Sequence, residues 1–246
     1  MDPIETLERQ CADAWPPVAE DKVGDWRLRA AGGFTGRANS ALAIGDPGIG
    51  VPEALDRVCD FAHVHAVPPM VLVVEGSRTE RAIEAAGWVP HVQHAKGYLV
   101  SVLVSPLTAG AAPARDDVTI RSAPTPAWWE LAAGTAEPGS AQRHVLTTGE
   151  IGYGEAAGGA GAVRAAVVED LLHVSCLAVR PEHRRRGLAK ALLAASGMWA
   201  AGHGATRCAL QVSVDNAPAL ALYAALGFRE HHRYRYWIPA WKDRSL

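Results

Sequence analysis

Residues 184–189 read Arg-Arg-Arg-Gly-Leu-Ala, between an apolar run that ends in Val-Arg-Pro and a second apolar run. A helix N-terminus carries unpaired N–H groups and a partial positive charge. Three cations beside it are unfavourable unless an anion sits against them or the side chains splay into water. Glycine lets a backbone pass close to a ligand, and the N–H groups of a first helical turn then point at it. The pattern Arg184-x-x-Gly187-x-Ala189 therefore suits a pyrophosphate, with arginines adding charge-assisted contacts. Taken alone, the same residues also fit a solvated basic turn.

The flanking elements must position that turn. Before it, LLHVSCLAV (171–179) is apolar, short and bounded by Asp170 and Pro181, as a central buried strand is. After it, Leu188, Leu192, Ala195 and Trp199 form one apolar helical stripe that ends at the glycines of AGHGA. CALQVSV (208–214) reads as a strand. Asp215–Leu226 reads as a helix, with Asp215 or Asn216 as its cap and Gly227 behind, and Phe228–Ile238 supplies the final strands. Upstream, Val118–Arg121 is a strand, a helix follows Pro126, and strands at Gly149–Glu155 and Ala162–Glu169 flank the AAGGAGA turn. The alternation of strands and helices is an α/β order.

The first hundred residues echo this order more weakly. Trp26–Ala30 and Ser40–Ile44 are strands around a turn containing AGGFTGR, Pro52–His65 is a helix, Val71–Val74 a strand and Thr79–Ala86 a helix, with a strand pair from Trp88 onward. SRTERAIEAAGW (77–88) matches NAPALALYAALGF (216–228), a helix closed by glycine and an aromatic, which marks an internal repeat. SPLTAGAAPARD (105–116) is rich in Pro, Ala and Gly without periodicity and divides the chain into 1–104 and 117–246.

Composition excludes several classes. The chain of 246 residues is 49% hydrophobic and 20% charged with a formal net charge of -2, an ordinary globular balance that argues against nucleic-acid or membrane-surface binding. No stretch is long and apolar enough to cross a membrane and the N-terminus has no signal-like core, so a cytoplasmic protein is expected. The four cysteines, at 11, 59, 176 and 208, are scattered and read as core residues. The histidines at 63, 65, 91, 94, 231 and 232 lack carboxylates or cysteines at ligand spacing, so no metal is expected. HHRYRYW (231–237) reads as a terminal strand with one wet face.

LAVRPEHRRRGLAKALL followed by QVSVDNAPALALYAALGF resembles the two diagnostic segments of the GNAT superfamily of acetyl-CoA-dependent N-acetyltransferases. The resemblance is strong over 165–230, extends over 117–238, and is degenerate over 24–100. It implies two GNAT-like lobes, each a mixed, mostly antiparallel twisted sheet flanked by helices. It also implies acetyl-CoA as cosubstrate and a small-molecule or peptide amine as acceptor, in a monomer or homodimer. By resemblance Arg184, Arg185, Arg186, Gly187, Leu188 and Ala189 hold the pyrophosphate, Leu177, Ala178 and Val179 hydrogen-bond the pantetheine arm, and Asn216 lies near it. Tyr223 then protonates the departing thiolate. This agrees with the reaction, in which an amine loses a proton, a carbonyl is polarised and a thiolate gains a proton.

Several enzymes of the superfamily place a glutamate base where this chain has His173, and Glu169 and Ser175 are alternatives. The resemblance leaves a non-catalytic CoA-binding regulator as the rival function. In the first half, IGDPGIGVPEAL has no arginines and Ile83 stands where the repeat places Tyr223, so that half is expected neither to hold coenzyme A nor to catalyse. Its turn AGGFTGRANSA, with Thr35, Arg37, Asn39 and Ser40, is expected either to wall an acceptor pocket or to be a tight turn held by its own side chains.

Overall fold

The computed structural model describes residues 3–107 and 115–240. In chain order the elements are α1 (Pro3–Asp13), β1 (Ala19–Val23), β2 (Trp26–Ala30), β3 (Ala41–Leu42), α2 (Val51–Val64), β4 (Val71–Val74), α3 (Arg78–Ala85), β5 (Trp88–Pro90) and β6 (Leu99–Pro106). There follow β7 (Val118–Arg121), α4 (Pro126–Ala133), α5 (Ser140–Thr147), β8 (Glu150–Ala156), β9 (Gly161–Val168), β10 (Leu171–Val179), α6 (Leu188–Ala201), β11 (Arg207–Ser213), α7 (Ala217–Ala225) and β12 (Arg229–Pro239). The α/β class holds. Local chemistry sets most boundaries: Thr125, Ser77 and Asn216 each accept a first-turn N–H with the side chain, and Gly134 ends α4 at φ +78°.

The strands join in one mostly antiparallel sheet, ordered β1-β2-β3-β4-β12-β6-β11-β10-β9-β8-β7, with β5 pairing off β12. Two neighbouring pairs are parallel, β3 with β4 through α2 and β10 with β11 through α6. These two strand–helix–strand units are the structural form of the internal repeat. The two lobes are therefore halves of a continuous sheet.

The last strand of each half crosses into the other. β6 pairs with β11 of the second half, β12 pairs with β4 and β5 of the first, and β6 and β12 pair with each other at the centre. Ser105 and Pro106, read from sequence as linker, complete β6, while residues 108–114 of that linker lie outside the described residues. The reading of HHRYRYW as a terminal wet-faced strand is corrected, because β12 is central. Its alternation separates buried His232, Tyr234 and Tyr236 from Arg233 and Arg235, and the arginines are matched by Glu230, Glu75 and Glu80. Alternation reports that two faces differ, not that one is wet.

On the second half, α6 lays Leu188, Leu192, Leu193 and Ala200 onto the sheet beside Val163, Leu172 and Leu210. Leu192 is fully buried, and truncating such a leucine to alanine costs about 2–5 kcal/mol. α1 covers the junction of the halves: Leu7, Cys11 and Ala12 pack with Leu42, Val102, Ala209 and Tyr234. Its Gln10 receives Arg207 and donates to Glu169 and Asp170 in the β9–β10 turn.

Candidate active site

β10 and β11 pair in parallel from Leu171↔Arg207 to Val174↔Leu210, and then stop. Beyond that point β10 stays with β9, through a bulge between Ser175 and Ala178 where Cys176 takes φ +54°, while β11 stays with β6. A bulge re-aims the strand that carries it. The two strands part, and from Ser175 to Val179 the β11-facing edge of β10 has no partner strand.

A cleft of about 990 Å³ opens in that splay. Its walls carry His173, Ser175, Cys176 and Leu177 from β10, with Gln211 and Ser213 from β11. Asn216, Ala219 and Tyr223 share one face of α7 and close one side. The first half supplies the opposite wall from Gly33–Arg37 and His91–Gly97, and Trp15 follows α1 into it.

Tyr223 is buried, edge-on to Phe228 with ring centroids 5.7 Å apart. Burial, then the neighbouring Cys208, pushes its phenol up to about 12, and burial pushes the Cys208 thiol to about 12 as well. Asn216 spends its side-chain oxygen on the Ala219 N–H, so it caps α7 while lining the cleft.

His173 is almost completely buried and lies edge-on to Trp15 at 6.1 Å, with Gln211 beside its ring and no ring-nitrogen hydrogen bond of full geometry among the described residues. Burial first, then Arg164 and Arg37, lower its pKa to about 3. At neutral pH the imidazole is therefore the unprotonated form, with a weak hold on any proton it would accept. Of the alternatives, Ser175 lines the cleft with an unpartnered hydroxyl, whereas Glu169 sits in the β9–β10 turn bonded to Gln10.

The arginine turn lies outside the cleft walls, on the same edge of β10. Arg184, Arg185, Arg186 and Gly187 are exposed, Arg185 takes φ +62° and Gly187 φ +78°, and α6 starts without any side-chain cap. Arg184 Nε donates to the Val179 carbonyl at 3.2 Å. Arg115, paired with Asp117, donates to the Arg186 carbonyl at 3.0 Å and braces the turn from behind. The uncapped N–H groups, positive φ at two adjoining sites and outward cations fit a pyrophosphate. The first-half counterpart, where Gly50 precedes α2, has no arginine, and Ile83 is fully buried in the core at the Tyr223-equivalent place.

The turn AGGFTGRANSA is held by its own side chains and also lines the cleft. Asn39 accepts from the Ala31 and Gly33 N–H groups and donates to the Thr35 carbonyl, and Ser40 donates to the Gly36 carbonyl. Thr35 and Arg37 face the cleft.

The family described as "Probable histone acetyltransferase Rv0428c C-terminal" has a model that matches residues 2–237. The chain belongs to this family. It is an acetyltransferase of the GNAT type. YobR of Bacillus subtilis (strain 168), an uncharacterized N-acetyltransferase, is 25% identical over 248 residues, covering 94% of this chain and 98% of its own. A GCN5-related N-acetyltransferase from Kribbella flavida shares the fold at TM-score 0.69 and 14% identity, over 98% of this chain and 96% of its own. A tandem GNAT protein from the clavulanic acid biosynthesis pathway superposes at TM-score 0.60 and 16% identity, over 94% and 86%.

In this GNAT acetyltransferase, two cleft residues, Trp15 and Gln211, and the buried Arg164 behind Trp15 were not singled out from the sequence. Trp15 follows an amphipathic helix whose role shows only once it packs. Arg164 sits in GAVRAAVV, where its charge reads as an interruption of a strand. Gln211 is one polar residue among apolar neighbours. Among the described residues no group of three or more His, Cys, Asp and Glu side chains gathers as a metal site, and no helix is long and apolar enough to cross a membrane.

Proposed function

We propose that this protein transfers the acetyl group of acetyl-CoA to a primary amine bound with it in the cleft, by direct attack in a ternary complex. The observation that carries the reading is the parting of β10 and β11 after Val174 and Leu210, with Tyr223 on the wall of the opening. Acetyl-CoA supplies the thioester carbonyl and the thiolate. The residues of the Arg184–Ala189 turn hold the pyrophosphate, and the unpartnered edge of Leu177, Ala178 and Val179 offers main-chain groups to the pantetheine arm. Tyr223, still protonated at neutral pH, gives its proton to the departing thiolate as the C–S bond breaks, and the N–H proton that the attacking amine loses passes through water to restore the phenol. His173 remains a neutral polar wall. The second half does this work, and the first half completes the acceptor side.

The test is acetyl-CoA-dependent thiol release with a panel of amines, alongside the rise in melting temperature that saturating acetyl-CoA produces. Transfer together with stabilisation supports the reading. Stabilisation without transfer to any amine would leave a CoA-binding protein that does not catalyse. The family's description names histone as an acceptor, so a lysine-bearing histone peptide belongs in the panel.

A further inference from the structure

The walls of the cleft contain no aspartate or glutamate among the described residues, although they contain Arg37 and Lys96. An enzyme that binds a polyamine or a lysine-rich tail needs carboxylates to replace the water around each ammonium group. This cleft presents the opposite sign.

The positive charge is also uncompensated from behind. Arg37 lies with its guanidinium carbon 5.6 Å from the centre of the Trp15 ring, and Arg164 lies 5.4 Å from that centre. Neither forms an ion pair among the described residues. Arg164 is fully buried and spends its donors on the carbonyls of Ala14, Val145 and Leu146. Arg37 is only partly covered and faces the cleft, held by Gln211. Buried Arg29 adds a third guanidinium nearby, bonded to Ser40. The one carboxylate in this group, Glu8, lines a small separate void with Arg29 and Arg37 and is hydrogen-bonded to His232 at 2.8 Å. Cations taken from water without a counter-charge are costly, and a bound anion relieves that cost. The phosphates of acetyl-CoA do not supply it in our reading, because the Arg184–Gly187 turn that would hold them is not part of the cleft wall.

We propose that the acceptor is a small amine that also carries a carboxylate, of the amino-acid or short-peptide class, with the carboxylate directed to Arg37 and Lys96. This rests on the acetyl-transfer reading and names its substrate class. The same charges serve the chemistry. A positive surrounding disfavours an ammonium ion, so the amine is delivered unprotonated without a carboxylate base. His173 is held neutral by burial first and by the Arg164 and Arg37 charges next, and those charges act on an incoming amine in the same direction.

The test compares the full-length protein on matched acceptors: glycylglycine against glycinamide, and both against spermidine and a histone tail peptide. The expected result is kcat/KM at least 100-fold higher for glycylglycine than for the uncharged or cationic amines. Arg37→Ala should remove that preference by raising the acceptor KM while the acetyl-CoA KM stays within about twofold, and Arg37→Lys should restore part of it. Lys96→Glu, at an exposed site, gives a second reading that does not depend on tolerance of a change at Arg37, and it should shift preference toward spermidine. Faster acetylation of spermidine or the histone peptide by the unaltered protein would overturn the proposal while leaving acetyl transfer intact. Acetyl-CoA stabilisation with no transfer to any of the four would overturn both.

Discussion

Arg37 Nε donates to Gln211 Oε1 at 2.7 Å and its Nη2 donates to the Gln211 carbonyl at 3.1 Å, tying a turn of the first half to the splayed strand of the second. The contact fixes where the guanidinium stands in the cleft. Gln211→Leu removes the side-chain half of this clamp. Charged hydrogen bonds contribute about 1.5–3 kcal/mol, so the acceptor KM should rise roughly 10-fold with the acetyl-CoA KM unchanged. Steady-state kinetics with each substrate varied separately check this, and an unmoved acceptor KM would show that the clamp is only structural.

Tyr223→Phe keeps the ring against Phe228 and deletes the proton donor. Loss of a positioned acid costs about 10²–10⁴-fold in rate, so kcat should fall within that range. The melting-temperature shift given by acetyl-CoA should persist. Because burial lifts the phenol to about 12, the unaltered enzyme should show no alkaline fall in kcat from this group below pH 10. A limb near pH 9 that vanishes in the variant would contradict the assigned acidity.

His173 makes stability depend on pH. Its native pKa lies near 3, against 6.5 for a free imidazole, so between those values the unfolded chain binds a proton that the native protein refuses. Stability from this site is intact above pH 6.5 and is lost as pH falls toward 3. Wild type should lose about 2 kcal/mol more than His173→Leu between pH 6.5 and 4.5. Urea titrations of both proteins at the two pH values measure the difference, and parallel losses would show that the imidazole is already solvated in the native state.

The arginine turn offers a graded pair. Gly187 stands at φ +78°, so Gly187→Glu strains the backbone and places a carboxylate where we propose that the pyrophosphate is held. Acetyl-CoA affinity should fall more than 100-fold by calorimetry. Arg115→Ala, which removes only the brace on the Arg186 carbonyl, should weaken the same affinity about 3–10-fold without changing the melting temperature of the free protein. Equal effects of the two changes would mean that the turn collapses without Arg115.

The exchanged strands bear on the division of the chain. Residues 1–107 expressed alone lack the strand that pairs with β4 and β5, and residues 108–246 lack the one that pairs with β11. Neither piece should show a cooperative thermal transition, and mixing them should restore one. A sharp transition for the second piece by itself would make it an independent domain.

Elements ruled by local chemistry were legible in the sequence. Val71–Val74 and Leu171–Val179 are bounded by turn residues and fall where the strands are observed, and Asn216 caps its helix as its residue type dictates. The arginine turn falls between β10 and α6 because a strand, a glycine and an apolar helix follow one another there. What the sequence withheld is set by distance along the chain. That β6 inserts between β11 and β12 depends on pairings more than a hundred residues apart, and no period reveals them. Trp15 gains its place from the docking of α1. His173 was legible as a polar residue in a buried strand, but its neutrality comes from Arg164 and Arg37 arriving from two other elements.

The crossing of β12 into the first half also orders events during synthesis. A chain leaving the ribosome from its N-terminus can form α2 and α3 early, but the place beside β4 stays open until residues 229–239 emerge. Tyr234 and Tyr236, which pack under Arg37, arrive with that strand. The cleft wall of the first half therefore waits for a strand that follows it by more than a hundred residues. A protein truncated before β12 would lack the strand beside β4 and the two tyrosines that come with it.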